Sequence, residues 1–328
     1  NTGNTADTGA ADTGNTDAGT ADTGSVSEEG GETSSEGTTN SAGFTDEQLS
    51  NTDETRTIYR NSDGEPLVIQ PDGNGNWEVK TLVDLPFVHR FDILERGGVR
   101  YLIACALKSG YEYKDDWRFP GKVYVAVLPE DLSGFDEEHQ LELTVLKDNM
   151  LKNHGYYRVE DGGVQTSVIS CDNGIYQFVP PADLDREWEI RTQTTDEASD
   201  AVMVDFDGDG VKEIAAIAPF HGEKIRFYKK VDGAYQMVYE FGEDCEFLHS
   251  IYGGTLCGKP AFVTGHRKGK RDLMAFFYNR EKGSYEVEYI DHDCGSANVY
   301  HYVKDGKDML VSTNREIDEV ALYTITEE

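Results

Sequence analysis

One kind of segment recurs five times along the chain, and that repeat limits the fold more than any other feature. An aromatic residue or Leu is followed by Glu or Gln and then by alternating apolar residues. The copies are WEVKTLV from Trp77, LELTVLK from Leu141, WEIRTQT from Trp188, YQMVYEF from Tyr235 and YEVEYID from Tyr285. Their starts lie 64, 47, 47 and 50 residues apart. Alternation over runs this short reads as half-buried β-strand. Each copy is followed by a polar linker, a strand ending in a Gly-rich turn (HRFDILERGG, HGYYRVEDGG, DAVMVDFDGDG, HSIYGGTLCG, NVYHYVKDG), a third strand and a fourth. Four short antiparallel strands per unit predict an all-β fold, a five-bladed β-propeller. The last unit stops after three strands, so WEVKTLV is expected to close the ring by completing the C-terminal blade, which would leave no open sheet edge. RTIYRNSDGEPLVIQ is left over as an extra hairpin or the remnant of a sixth blade. Only the acidic stretch DLSGFDEEHQ is allowed a helical turn.

Charge divides the chain in two. Residues 1–55 carry twelve acidic side chains and no Lys or Arg, out of a net charge of −32. The segment repeats Asn-Thr, Ala-Asp-Thr-Gly and Asp-Ala-Gly, with little apolar surface to offset the entropy of ordering it. Residues 1–54 are therefore read as a disordered acidic tether and residues 55–328 as the propeller. Such tracts resemble the spacer that follows the lipid-anchored cysteine of bacterial surface lipoproteins. That resemblance implies an extracellular, cell-surface protein, a mature form held to the membrane only through a lipid anchor. So acidic a body repels phosphate backbones, which argues against nucleic acid as a partner. The five cysteines are odd in number and form no CxxC pair, so no obligatory disulfide is expected.

One turn carries cation chemistry. Asp205, Asp207 and Asp209, with Gly210 and then Glu213, place carboxylates at positions 1, 3, 5 and 9 of a loop that turns sharply at its Gly, the spacing that wraps a chain around Ca²⁺. Position 12 is Ala216 and the flanks read as strands, so this is no EF-hand. DFDGDGVKEIAAI resembles the repeat of the FG-GAP and VCBS families. The resemblance implies a structural Ca²⁺ between two blade strands. The stretches HSIYGG…GKPAFVTGHRKGKRDLMAFFYN and NVYHYVKDGKDMLVSTNREIDEVALYTI are similar to the propeller portion of aldos-2-ulose dehydratase. That family removes water from 1,5-anhydrofructose-type sugars and uses a divalent metal.

Strand polarity predicts a pocket. In an antiparallel blade the start of the first strand and the end of the second emerge on one face. His89, His154, Asp200 and His249 open first strands. Lys108, His221, His266 with Arg267, and Arg315 close second strands. His301 lies three residues inside its strand. His89, His154, His249, His266, Arg267 and Arg315 are the candidate catalytic groups, and three neutral imidazoles with Asp200 could hold a second divalent metal. The longest insertion on this face carries Lys108, Tyr111, Tyr113 and Trp117, side chains suited to the apolar face and hydroxyl rim of a sugar. Lys108, Tyr111, Tyr113, Trp117, His221 and His301 are the candidate substrate contacts. The reading is a carbohydrate-active enzyme, a metal-assisted sugar lyase or dehydratase in which His or Tyr removes a proton beside a carbonyl. The alternative is a non-catalytic module that binds glycan or protein through the same face.

Overall fold

In a computed structural model of the chain, the described residues are 57–60, 66–71 and 77–327, residue 114 excepted. The proposed tether, residues 1–54, lies outside them. The first three strands are β1 (Thr57–Arg60), β2 (Pro66–Pro71) and β3 (Trp77–Thr81). Next come β4 (Val88–Arg96), β5 (Val99–Lys108), β6 (Pro120–Leu128) and β7 (Thr144–Met150). A second set of four is β8 (Gly155–Asp161), β9 (Val164–Cys171), β10 (Gly174–Val179) and β11 (Glu189–Thr194). A third is β12 (Asp200–Val204), β13 (Glu213–Ala218), β14 (Lys224–Val231) and β15 (Ala234–Glu240). A fourth is β16 (Glu246–Leu256), β17 (Lys259–Lys268), β18 (Leu273–Asn279) and β19 (Ser284–Asp291), and the chain ends with β20 (Ser296–Lys304), β21 (Lys307–Asn314) and β22 (Glu319–Ile325). Four sheets have four strands in chain order, all antiparallel, and two have three. The arrangement is all-β and propeller-like.

The core lies between sheets. Val159, Val168, Ala201, Ile214, Ala216 and Tyr228 fill the space between the second and third four-stranded sheets. Val202, Ala215, Ile217, Phe227, Phe262 and Phe276 fill the next. Consecutive residues of β13 thus point into different cores: Ile214 and Ala216 one way, Ala215 and Ile217 the other. A strand buried on both faces needs apolar residues along its length, which is why Ile214–Ala218 is a continuous apolar run after Glu213. Gly155 allows first strands to approach, because a Cβ there would lie 2.4 Å from the Ser199 carbonyl oxygen.

Two expectations fail. β3 does not complete the C-terminal sheet; it pairs with β2, with Pro71 opposite Trp77. The link between them is DGNGN, so a local hairpin closes at far lower entropic cost than a ring joining the chain ends. The leftover segment supplies β1 and β2, and β20–β22 remain a three-stranded sheet among the described residues. DLSGFDEEHQ forms turns and bends without a helix. There Asp136 Oδ1 accepts from the backbone N–H groups of Glu138 and His139, taking donors that a helical turn would use. A 3₁₀ turn occurs instead at Arg315–Ile317.

Candidate functional site

A recurring backbone device delivers the central side chains. His89, His249 and Ala297 are the extra residues of β-bulges at the starts of β4, β16 and β20, where register shifts between Val88 and Arg90, Leu248 and Ser250, and Ser296 and Asn298. Two residues before each bulge the backbone is left-handed, at Phe87 (φ 63°), Phe247 (φ 58°) and Gly295 (φ 65°). Lys152 (φ 49°) holds the same position before His154. A bulge re-aims a side chain away from the sheet, and a left-handed non-glycine residue costs about 1 kcal/mol or more. The same geometry recurs on four of the five sheets from β4 onward, three times at a non-glycine residue.

The imidazoles delivered this way meet. The rings of His89 and His154 lie 4.3 Å apart, and those of His154 and His249 lie 5.5 Å apart. His221, itself left-handed, joins them from the turn between β13 and β14, its Nε2 3.2 Å from Nε2 of His154. Gly222 tightens that turn, since a Cβ there would fall 2.3 Å from Ala218 backbone atoms. One ligand atom from each of His154, His221 and His249 falls within 4.8 Å of the others. Nδ1 of His154 contacts buried Asp200 Oδ2 at 2.8 Å, and Ser199 Oγ donates to the same oxygen at 3.1 Å. Nδ1 of His249 donates to the Ala297 carbonyl at 2.6 Å. In both rings Nδ1 is tied back and Nε2 is left to face the cluster.

Burial disfavours charge on two of the rings. Burial pushes His221 down to about 3, with the charges of His154 and His249 adding to it. Burial likewise pushes His249 down to about 4. Burial alone would raise Asp200, but the neighbouring His154, Arg90 and His249 hold its carboxyl below the usual carboxylate range. Imidazoles whose Nδ1 atoms are tied back are the donor set of a borderline divalent metal, and a carboxylate behind one ligand is the usual outer partner. The residues fit such a metal, with His221 as third ligand. Asp200 sits behind His154, already accepting from its Nδ1, and is not the fourth ligand that sequence position suggested.

Other candidates divide. Trp117 packs edge-on against Phe220 at 5.2 Å, and Phe220 touches both His154 and His221. The Lys108 ammonium lies 5.0–5.6 Å from the Phe87, Tyr111 and Trp117 rings. Tyr111 and Tyr113 are more than half exposed on that loop, which buried Asp116 organises by accepting from Arg118 and the Glu112 amide. Arg267 stays one ring away: its guanidinium covers Phe247, which leans on His221, and Nε and one terminal nitrogen donate to Glu316. His266 is not in the cluster. It is buried in β17 with Nδ1 donating to the Lys268 carbonyl and Nε2 accepting from the Asp272 amide, so neither nitrogen is available. His301 is held between Tyr252 and Asp308, near the turn that ends β20. Arg315 is exposed on the 3₁₀ turn. Sequence reasoning missed Arg90, Ser199, Phe220 and Phe247. The triplet Phe-x-His, present as Phe87-Val88-His89 and Phe247-Leu248-His249, is the signal that could have found the last of these. Two surface grooves of about 390 and 400 Å³ lie elsewhere, beside Val127 and Leu184, and include none of these imidazoles.

The acidic loop already holds a cation of its own. Asp205, Asp207 and Asp209 converge, and Lys229 of β14 reaches in to Asp207, to Asp209 at 2.9 Å and to Glu213 at 3.8 Å. Burial, with Asp207 and Asp209 close by, pushes Glu213 up to about 7. The arrangement does not fit a resident Ca²⁺, because an ammonium stands among the ligands.

Fold and site together describe a propeller-like protein with imidazoles gathered where its first strands begin. No family model matches the chain, and no curated protein matches it. Among solved structures it is similar to the periplasmic gluconolactonase PpgL of Pseudomonas aeruginosa, at 10% identity over 81% of this chain and 74% of that one, with a TM-score of 0.51. It is also similar to a Bacteroides uniformis protein assigned as a 6-phosphogluconolactonase, at 13% identity over 82% and 77%, with a TM-score of 0.49. At such identities the likeness is one of fold. No helix among the described residues is long and apolar enough to cross a membrane.

Proposed function

We propose that this chain is a carbohydrate-processing enzyme working outside the cytoplasm, with its reaction centred on His154, His221 and His249. The observation that carries the reading is the convergence of three imidazoles from three successive sheets, two of them tied back at Nδ1. The substrate class is a small sugar bearing a carbonyl or carboxyl group. The P. aeruginosa protein of similar fold is named for a sugar lactone. A lactone carbonyl and a uronate carboxyl require the same thing of a site, positive charge against an oxygen.

Within the class, the chemistry fits a lyase or dehydratase. A divalent metal held by His154, His221 and His249 would polarise the substrate oxygen as a Lewis acid. His89, packed on His154 but outside the three ligands, takes the proton beside the carbonyl. The electron pair becomes the new double bond, and the oxygen on the next carbon leaves with the proton that the His89 imidazolium gives back. Tyr111, Trp117 and Lys108 form the wall against which the sugar ring lies. The test is turnover of a panel of uronate oligosaccharides and aldonolactones by wild type, His89→Ala and His221→Ala. Removal of either imidazole is expected to cost about 10²-fold or more in rate while the fold survives. Saturable sugar binding without turnover would make the chain a binding module, and neither binding nor turnover would remove the carbohydrate reading.

A further inference from the structure

The turn from β12 to β13 has the carboxylate spacing of a calcium loop, yet its contacts account for its shape without a metal. Both oxygens of Asp205 accept backbone N–H groups, from Asp209 at 3.1 Å and Gly210 at 3.0 Å. Asp207 Oδ1 accepts from Asp209 at 3.1 Å and Asp209 Oδ1 from Val211 at 2.8 Å. The other oxygens of Asp207 and Asp209 turn to the Lys229 ammonium. Register places it there: Tyr228 of β14 pairs with Ile214 of β13, so the next residue, Lys229, lies beside Glu213. Glu213 is 1% exposed and accepts the Phe206 amide at 2.7 Å through Oε2. Its Oε1 has no hydrogen-bond partner among the described residues and faces the ammonium at 3.8 Å. A buried carboxylate without a cation is costly, so whatever cation the loop holds is part of the fold.

We propose that the cation of this loop is the Lys229 ammonium, and that it competes with a divalent ion for Asp207, Asp209 and Glu213. The loop is then a calcium-type turn that folds without calcium and takes up the ion only when the lysine is removed. Two positive groups cannot share one ring of oxygens at these distances, since like charges a few ångströms apart repel. The inference is independent of the sugar chemistry proposed for the imidazoles.

Thermal unfolding of the full chain, first freed of metal with a chelator and then given about 1 mM calcium, a level at which extracellular modules bind, tests it. Wild type is expected to keep its Tm within about 1 °C. Lys229→Met is expected to melt below wild type in chelator and to recover by several degrees with calcium, as binding to the native state alone requires. Lys229→Arg, which keeps the charge, is expected to stay insensitive to calcium. A wild-type Tm that rises with calcium, and no longer does so in Asp207→Ala, overturns the proposal even if Lys229→Met cannot be folded. A folded Lys229→Met with no calcium response overturns it as well.

Discussion

Burial and partners decide what each imidazole can do. In the sequence His249 opens one strand and His266 closes the next, which puts both on the same face. His266 uses both nitrogens on backbone groups, whereas His249 uses one and turns the other to its neighbours. The neutral state of His221 and His249 has a measurable consequence. Both values, about 3 and about 4, lie below the ordinary 6.5. Between pH 6.5 and 4 the unfolded chain takes up protons that the folded chain refuses, so this contribution to stability is full above pH 6.5 and is lost as pH falls. The slope is at most about 1.4 kcal/mol per pH unit for each imidazole, and partial exposure reduces it. Denaturant unfolding of chelator-treated protein at several pH values should show wild type losing stability faster below pH 6.5 than His249→Gln. Parallel profiles would mean that the imidazole is already charged in the native state.

The strands and turns repeat with more regularity than the residues they carry. Two-residue turns with both residues left-handed occur at Gly97-Gly98, Gly162-Gly163, Cys257-Gly258 and Asp305-Gly306, the first turns of four of the five units from β4 onward. In the remaining unit the acidic loop occupies that place. Gly and Asp suit this turn type, and Cys suits it poorly. Cys257 is left-handed at φ 49°. Cys257→Asn should therefore stabilise the domain by roughly 0.5–1 kcal/mol, a rise in Tm of about 1–3 °C. An unchanged or lower Tm would show that the thiol makes a contact worth more than the turn. The bulges follow the same logic with opposite sign. They lower the regularity of β4, β16 and β20, and in return they turn His89 and His249 toward the imidazoles.

At the scale of the molecule, the proposed metal ligands lie on three successive sheets: His154 just before β8, His221 between β13 and β14, and His249 within β16. A metal bound there ties these three sheets together at one point. At a free concentration of about 100 times Kd it should add about 2.7 kcal/mol. Zinc or manganese should thus raise the Tm of chelator-treated wild type by several degrees and leave His221→Ala unmoved. Asp200→Asn should respond only at about 10- to 100-fold higher metal, since it loses the carboxylate behind His154. Equal responses in all three proteins would place the metal elsewhere.

Period and polarity made the units readable from the chain alone. Two-residue alternation and the recurring Gly turns marked the order of strands from β4 to β22, and strand direction marked the face on which His89, His154 and His249 emerge. Those features are local, because they follow from the pleat of one strand and the φ of one turn. Three things were decided only by tertiary structure. β3 chose the partner five residues away over the chain's far end, by loop entropy. His221 entered the cluster through the Ala218–Gly222 turn, whose path no periodicity records, while His266 and His301 were taken up by backbone and carboxylate partners. Lys229 reached the acidic loop through strand pairing, bringing a cation to carboxylates sixteen or more residues before it in the sequence. A residue's type and spacing fix the chemistry it offers; which neighbour uses it depends on strands that meet only in the folded chain.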